Sequence, residues 1–72
     1  MSSNIDRQML KQCREYILKE DWTNALSKAN SILEFHATNY HALVFKGLAL
    51  LHMKKNVESE KTYIQACKLD PN

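Results

Sequence analysis

Residues 43–51 read LVFKGLALL, with Lys46 the one charge among them. Extended to His41–Met53, the run is apolar almost all the way round a helix. Such a helix must be buried on nearly every side. It is too short and too interrupted to span a bilayer, so other helices of the chain have to cover it. The fold therefore depends on which helices those are.

The rest of the chain supplies them. Apolar residues recur with a period near 3.6 almost everywhere. Ile5, Met9, Leu10, Cys13, Ile17 and Leu18 mark a helix over about 4–19, after a lead-in at 1–5 in which Ser2, Ser3 or Asn4 can cap it. "KEDW" breaks the pattern. Ala25, Leu26, Ala29, Ile32 and Leu33 mark a second helix over about 23–35. "HATN" is the next break, with Thr38 or Asn39 as cap. The third helix covers about 40–53 and the fourth about 57–69, with Asn56 as a cap and Asp70-Pro71 as the stop. Proline ends the reading because it lacks an N–H and its ring clashes with the preceding turn.

Composition agrees with an all-α class. The 72 residues are 44% hydrophobic and 25% charged, with one Gly and one Pro, too few turn residues for a meander of strands. The net charge of +2 excludes a strongly basic nucleic-acid domain, and the apolar content argues against disorder. Cys13 and Cys67 each sit in an apolar helical pattern, where a thiol acts as a small hydrophobe. A reducing compartment is expected, the cytoplasm first and the nucleus as the alternative. The opening "MSSNIDRQML" has no apolar core of a secretory signal.

An internal repeat organises the four helices. Shifting the chain by 34 residues lays Met9 on Leu43, Cys13 on Gly47, Tyr16 on Leu50, Ala25 on Ser59, Ile32 on Ala66 and Ala37 on Pro71. The breaks align without a gap, "KEDW" on "MKKN" and "FHAT" on "LDPN". Helices of this length with short loops form antiparallel pairs. Two hairpins sharing one period are the signature of a stacked solenoid.

This period and pattern resemble the tetratricopeptide repeat (TPR) family, whose signature is a Trp, a Gly and a Tyr on the first helix, then Ala, an aromatic and a closing Pro. In the second unit Leu43, Gly47, Leu50, Ser59, Tyr63, Ala66 and Pro71 take those slots. In the first they are Met9, Cys13, Tyr16, Ala25, Ala29, Ile32 and Ala37. Cys13 for Gly, Ala29 for the aromatic and Ala37 for Pro depart from the pattern and are expected to weaken the first unit. The resemblance implies TPR units at 6–39 and 40–72, stacked with a right-handed superhelical sense. It implies inter-helix packing at Cys13, Tyr16, Ala25, Gly47, Ser59, Tyr63 and Ala66, where small residues let helices approach. Trp22, at the first hairpin turn, is expected to pack under the neighbouring unit. Asn56 stands in its place in the second turn, which should be looser. Within the family, "MSS", the Trp-x-x-Ala-Leu helix and "NYHALVFKGLALL" are similar to the amino terminus of a large scaffold of an RNA-decay complex. "KLDPN" falls at a repeat boundary, so the chain is expected to be cut from a longer array, with further TPR units following Asn72.

No catalytic, cofactor or metal site is expected. A single Gly leaves no phosphate loop. His41 and His52 share a helix but stand about 16 Å apart along it, too far to hold one metal. His36 sits at a helix end, and all three histidines read as surface or rim residues. No third group orients a Cys–His pair. What remains is a non-catalytic protein-interaction module.

In such an array the first helix of each hairpin lines a concave groove. The stripe there is Arg7, Leu10, Arg14 and Ile17, then His41, Val44, Leu48 and Leu51, each set spaced to share one helix face. Two readings stand for each part. Val44, Leu48 and Leu51 either pack against neighbouring helices or floor a groove for a peptide. The arginines are either solvated charges or contacts for acidic groups. A chaperone-tail carboxylate clamp would need donors at Leu10, Arg14 and Phe45, and two of these have none. Direct RNA binding is disfavoured by the apolar floor. A third possibility is a self-associating fragment, because the last helix ends without a polar cap and would dimerise through its outer face.

Overall fold

The computed structural model describes the backbone of residues 3–69 and the side chains of residues 7–69. The lead-in cap, the Ile5 side chain, the Asp70-Pro71 stop and the boundary at Asn72 lie outside the described residues. Four helices follow one another: α1 (Ser3–Leu18), α2 (Trp22–Phe35), α3 (Tyr40–His52) and α4 (Asn56–Leu69). The described residues contain no strand. Helix α4 takes in Asn56, so Asn56 is its first residue rather than its cap.

The two hairpin turns are built alike. In the first, Glu20 N–H donates to Ile17 C=O at 2.9 Å and Asp21 N–H to Tyr16 C=O at 2.8 Å. In the second, Lys54 N–H donates to Leu51 C=O at 3.0 Å and Lys55 N–H to Leu50 C=O at 2.9 Å. This is the Schellman closure of a helix C-terminus, and it needs a left-handed residue, here Glu20 (φ 60°) and Lys54 (φ 65°). The backbone of the second turn is thus closed by the same pair of bonds as the first. The turns differ in the residue after the left-handed one. Asp21 caps α2, its carboxylate accepting from Asn24 N–H at 3.4 Å and Asn24 Nδ2 at 2.7 Å. Lys55, in the matching place, has no oxygen on its side chain to offer. Between the hairpins, Asn39 caps α3 by accepting from Ala42 N–H at 3.1 Å.

Each helix packs on the next in the chain, and α1 also meets α3. Among the described residues α4 touches α3 alone. The apolar α3 is thus the centre of the stack, burying Ala42, Leu43, Gly47, Ala49 and Leu50. Burying a side chain such as Leu50 or Ile32 contributes about 1.5–3 kcal/mol. A small-residue cluster of Cys13, Ala25, Ala29 and Ala49 joins α1, α2 and α3, with Tyr16, Ile17, Trp22, Leu26 and Phe45 packed around it.

Close helix approach is fixed by the small residues, and the two hairpins achieve it differently. In the second, Gly47 faces Tyr63 so tightly that a Cβ on Gly47 would lie 3.0 Å from the tyrosine ring. In the first, Cys13 replaces the glycine and Ala29 replaces the tyrosine, and both are fully buried. The larger and smaller partners have exchanged sides. Both departures thus lie in one buried cluster.

Trp22 joins the hairpins. Its indole stacks on the His52 ring, centroids 4.0 Å apart and planes within 5°. His52 is exposed, as a rim residue should be, but it also forms this inter-hairpin contact.

Candidate functional site

Helices α1 and α3 are the first helices of the two hairpins and lie side by side. Between them runs a furrow of about 350 Å³ lined by Arg7, Leu10, Lys11 and Arg14 from α1 and by His41 and Phe45 from α3. Positions 7, 11 and 14 share one face of α1 because four- and three-residue steps return to the same side of a helix. Leu10 and Phe45 are half-buried and form the floor, while the three cations and His41 are exposed along the walls.

No carboxylate of a described residue lines the furrow. None of the three cations is ion-paired with a described residue. Like charges one turn apart cost a helix roughly 0.2–0.5 kcal/mol per pair, so the arrangement disfavours the fold slightly and favours an anionic visitor.

Four of the eight stripe residues expected in a groove, Arg7, Leu10, Arg14 and His41, come together in this furrow. Ile17 turns into the core cluster. Val44 and Leu48 are half-buried and line no described cavity. Leu51 lines a different cavity, of about 510 Å³, between α3 and the outer face of α4. Lys11 and Phe45 join the furrow without having been expected there. Lys11 is visible in sequence as the middle of an Arg-Lys-Arg series at 7, 11 and 14, and Phe45 as one turn beyond His41. The chaperone-clamp positions Leu10, Arg14 and Phe45 do converge here, but only Arg14 can donate a hydrogen bond.

Of the residues expected at inter-helix contacts, Cys13, Ala25, Gly47, Ser59 and Ala66 are buried, and Tyr16 and Tyr63 are half-buried. Burial pushes the Cys13 thiol up to about 11, against a smaller opposing pull from Lys28. It therefore stays protonated at neutral pH and donates to Ala25 C=O at 3.3 Å. Burial also raises the Tyr63 phenol. Cys13 and Cys67 are both free thiols. No three described His, Cys, Asp or Glu side chains come together as a metal site, and no described helix is long and apolar enough to cross a membrane.

Comparison with known proteins adds independent observations. The chain is 34% identical to superkiller protein 3 of Schizosaccharomyces pombe over 61 residues, 85% of its own length. It is 28% identical over all 72 residues to tetratricopeptide repeat protein 37 of Xenopus laevis. It is 29% identical over the same span to superkiller complex protein 3 of Homo sapiens. The chain is a TPR-type relative of these proteins. No family model and no solved structure matches it. The TPR-type chain spans only 4–5% of the length of the relatives it matches. The likeness covers both hairpins, and the names of the relatives give a tetratricopeptide repeat and a complex.

Proposed function

We propose that this chain is a non-catalytic protein-interaction module whose α1–α3 furrow receives an extended acidic segment of a partner protein. The observation that carries the reading is the furrow itself: three cations without a described ion-pair partner and an imidazole stand over an apolar floor, with no described carboxylate among them. Along α1 the step from Arg7 to Lys11 is about 6 Å. Alternate residues of an extended strand lie about 6.7 Å apart and point to one side. Carboxylates at alternate positions therefore reach successive cations on α1, and the residue between them turns the other way, to the α3 side where Phe45 lies.

In the larger protein, units 6–39 and 40–72 serve as part of a TPR scaffold that assembles a complex. The relatives' names support the superkiller complex as that assembly, and the resemblance ties it to RNA decay in the cytoplasm. The same cations favour a second reading, in which the furrow holds single-stranded RNA with a base on Phe45. The apolar floor and the short cationic series, three residues long, favour the peptide.

Fluorescence anisotropy separates the two. The probes are an end-blocked peptide alternating Asp with Leu or Phe, the same peptide with Asn for Asp, and a single-stranded RNA of similar length. The acidic peptide should bind, the Asn peptide at least about tenfold more weakly, and Arg14→Glu should weaken the acidic peptide by about tenfold or more. Equal binding of the Asp and Asn peptides would contradict the acidic partner. Preferential RNA binding, weakening steeply with salt, would establish the second reading instead.

A further inference from the structure

The four α1 residues of the furrow are not equivalent around their helix. At about 100° per residue, Arg7 and Arg14 fall within about 20° of each other, about 10.5 Å apart along the axis. Between them Lys11 turns about 40° to one side of Arg7 and Leu10 about 60° to the other. Leu10 is half-buried and Lys11 exposed, so the Leu10 side is the one toward α3. The two arginines are thus the ends of a bracket. Lys11 stands on its outer edge, and Leu10 on its inner edge with Phe45 and His41 of α3 beyond. The His41 ring is edge-on to Tyr40, centroids 5.6 Å apart.

A bracket of this size discriminates between anions. A carboxylate offers two oxygens, which one guanidinium fork already occupies. On an extended strand, carboxylates two residues apart reach one arginine and Lys11. A three-residue step matches the arginine spacing, at about 10 Å, but it turns to the opposite face of the strand. An acidic strand therefore leaves one arginine without a matching carboxylate. A phosphoryl group on a side chain has three strong acceptor oxygens and a charge of about −1.5 to −2 at neutral pH. Midway between Arg7 and Arg14 it lies about 5 Å along the axis from each, a span that a leaning arginine side chain covers. There it accepts from both guanidinium groups while Lys11 adds a third positive charge, and no carboxylate of a described residue competes for them.

We infer that the furrow selects a partner segment carrying a phosphorylated serine or threonine. The phosphoryl group is held between Arg7 and Arg14 beside Lys11, and an apolar neighbour of the modified residue rests on Leu10 and Phe45. This rests on the furrow being the entry for an acidic segment, and it adds a regulation: phosphorylation of the partner switches binding on.

Fluorescence anisotropy with the 72-residue chain tests this. The probes are an end-blocked peptide with one phosphoserine beside Leu and Phe, the same peptide with Asp or Ser in its place, and the peptide alternating Asp with Leu or Phe. The phosphopeptide should bind at least about tenfold more tightly than its single-Asp counterpart, and the Ser peptide most weakly. Arg7→Lys and Arg14→Lys keep the charge but lose the fork, so each should weaken the phosphopeptide by about fivefold or more. Each should weaken the alternating acidic peptide by no more than about twofold, because that strand can shift to the remaining arginine. Inorganic phosphate, which lacks the apolar neighbour, should displace the phosphopeptide only at millimolar concentration; displacement at the peptide's own concentration would overturn the selection of a segment. Both arginines are exposed, and circular dichroism checks that the variants fold. The comparison of peptides on the parent chain stays decisive if one does not. Equal binding of the phosphoserine and single-Asp peptides, with the alternating peptide still bound, would overturn the phosphoryl site and leave the acidic-segment reading standing. Binding of none of the peptides would overturn both.

Discussion

The Ser59 hydroxyl donates to the Gly47 carbonyl across the α3–α4 crossing at 2.8 Å, both residues buried. One repeat earlier the same two slots are bonded in reverse: the Cys13 thiol, on the first helix, donates to Ala25 C=O on the second. Each hairpin thus carries one buried side-chain donor at its crossing. Ser59→Ala removes that bond while the Gly47 carbonyl keeps its place in α3, so the loss should be about 1 kcal/mol. Urea unfolding followed by circular dichroism reads it directly, and an unchanged midpoint would show that the crossing does not depend on the bond.

Gly47 and Tyr63 should be energetically coupled. Adding a methyl at Gly47 gains about 0.8–1 kcal/mol of helix propensity but forces a contact that overpacking makes cost about 1–3 kcal/mol. The collision outweighs the propensity gain, so Gly47→Ala should destabilise the parent. With Tyr63→Ala already in place the collision is gone, and Gly47→Ala should then stabilise by up to about 1 kcal/mol. A double-mutant cycle measures the sign change. Purely additive effects would mean that the two residues do not share the space in solution.

Glu20 and Lys54 hold left-handed backbone angles that cost a residue with a Cβ roughly 1–2 kcal/mol. Glycine adopts those angles freely but loses more entropy on folding. Glu20→Gly and Lys54→Gly should therefore each raise stability by about 0.5–1 kcal/mol, visible as a higher melting temperature. Lys55→Asp should add a further ~0.5–1 kcal/mol by giving α4 the cap that Asp21 gives α2. A fall in melting temperature for both glycine variants would show that the turns are not closed by left-handed residues.

The Cys13 thiol sets an alkaline limit. Its folded value, raised by burial to about 11, lies above the ordinary thiol value of 9.0. Between these values the unfolded chain gives up the proton and the folded chain keeps it. The stability this group contributes is thus fully present below pH 9 and is lost as the pH rises toward 11. Cys13→Ala should flatten that part of the stability–pH curve, although it lowers the curve as a whole by opening a gap. A parallel curve for the variant would remove Cys13 as the cause.

Much of this was legible in the sequence because repetition doubles every signal. The four helices fall within a residue or two of their expected bounds, since caps, breaks and apolar period coincide twice. What the pattern did not show was compensation. Cys13 and Ala29 each look like a defect when compared slot by slot, and only their shared place in one buried cluster shows an exchange of large and small. The furrow was half legible for a related reason. A stripe at spacing 3, 4 and 3 identifies a helix face, but the way α1 and α3 cross decides how much of it stays open. That crossing sends Ile17 inward, leaves Leu51 to another face, and brings Lys11 and Phe45 into the cleft. His52 read as a rim residue because no local pattern announces a partner 30 residues away in Trp22.

The proposed function rests on partners entering between α1 and α3. Titrating the ¹⁵N-labelled chain with the end-blocked acidic peptide and following its amide resonances tests that most directly. Dose-dependent shifts are expected at Arg7, Leu10, Lys11, Arg14, His41 and Phe45, and they should be absent in Arg14→Glu. Shifts centred instead on Ile64 and its neighbours in α4, or none up to millimolar peptide, would contradict entry at the furrow.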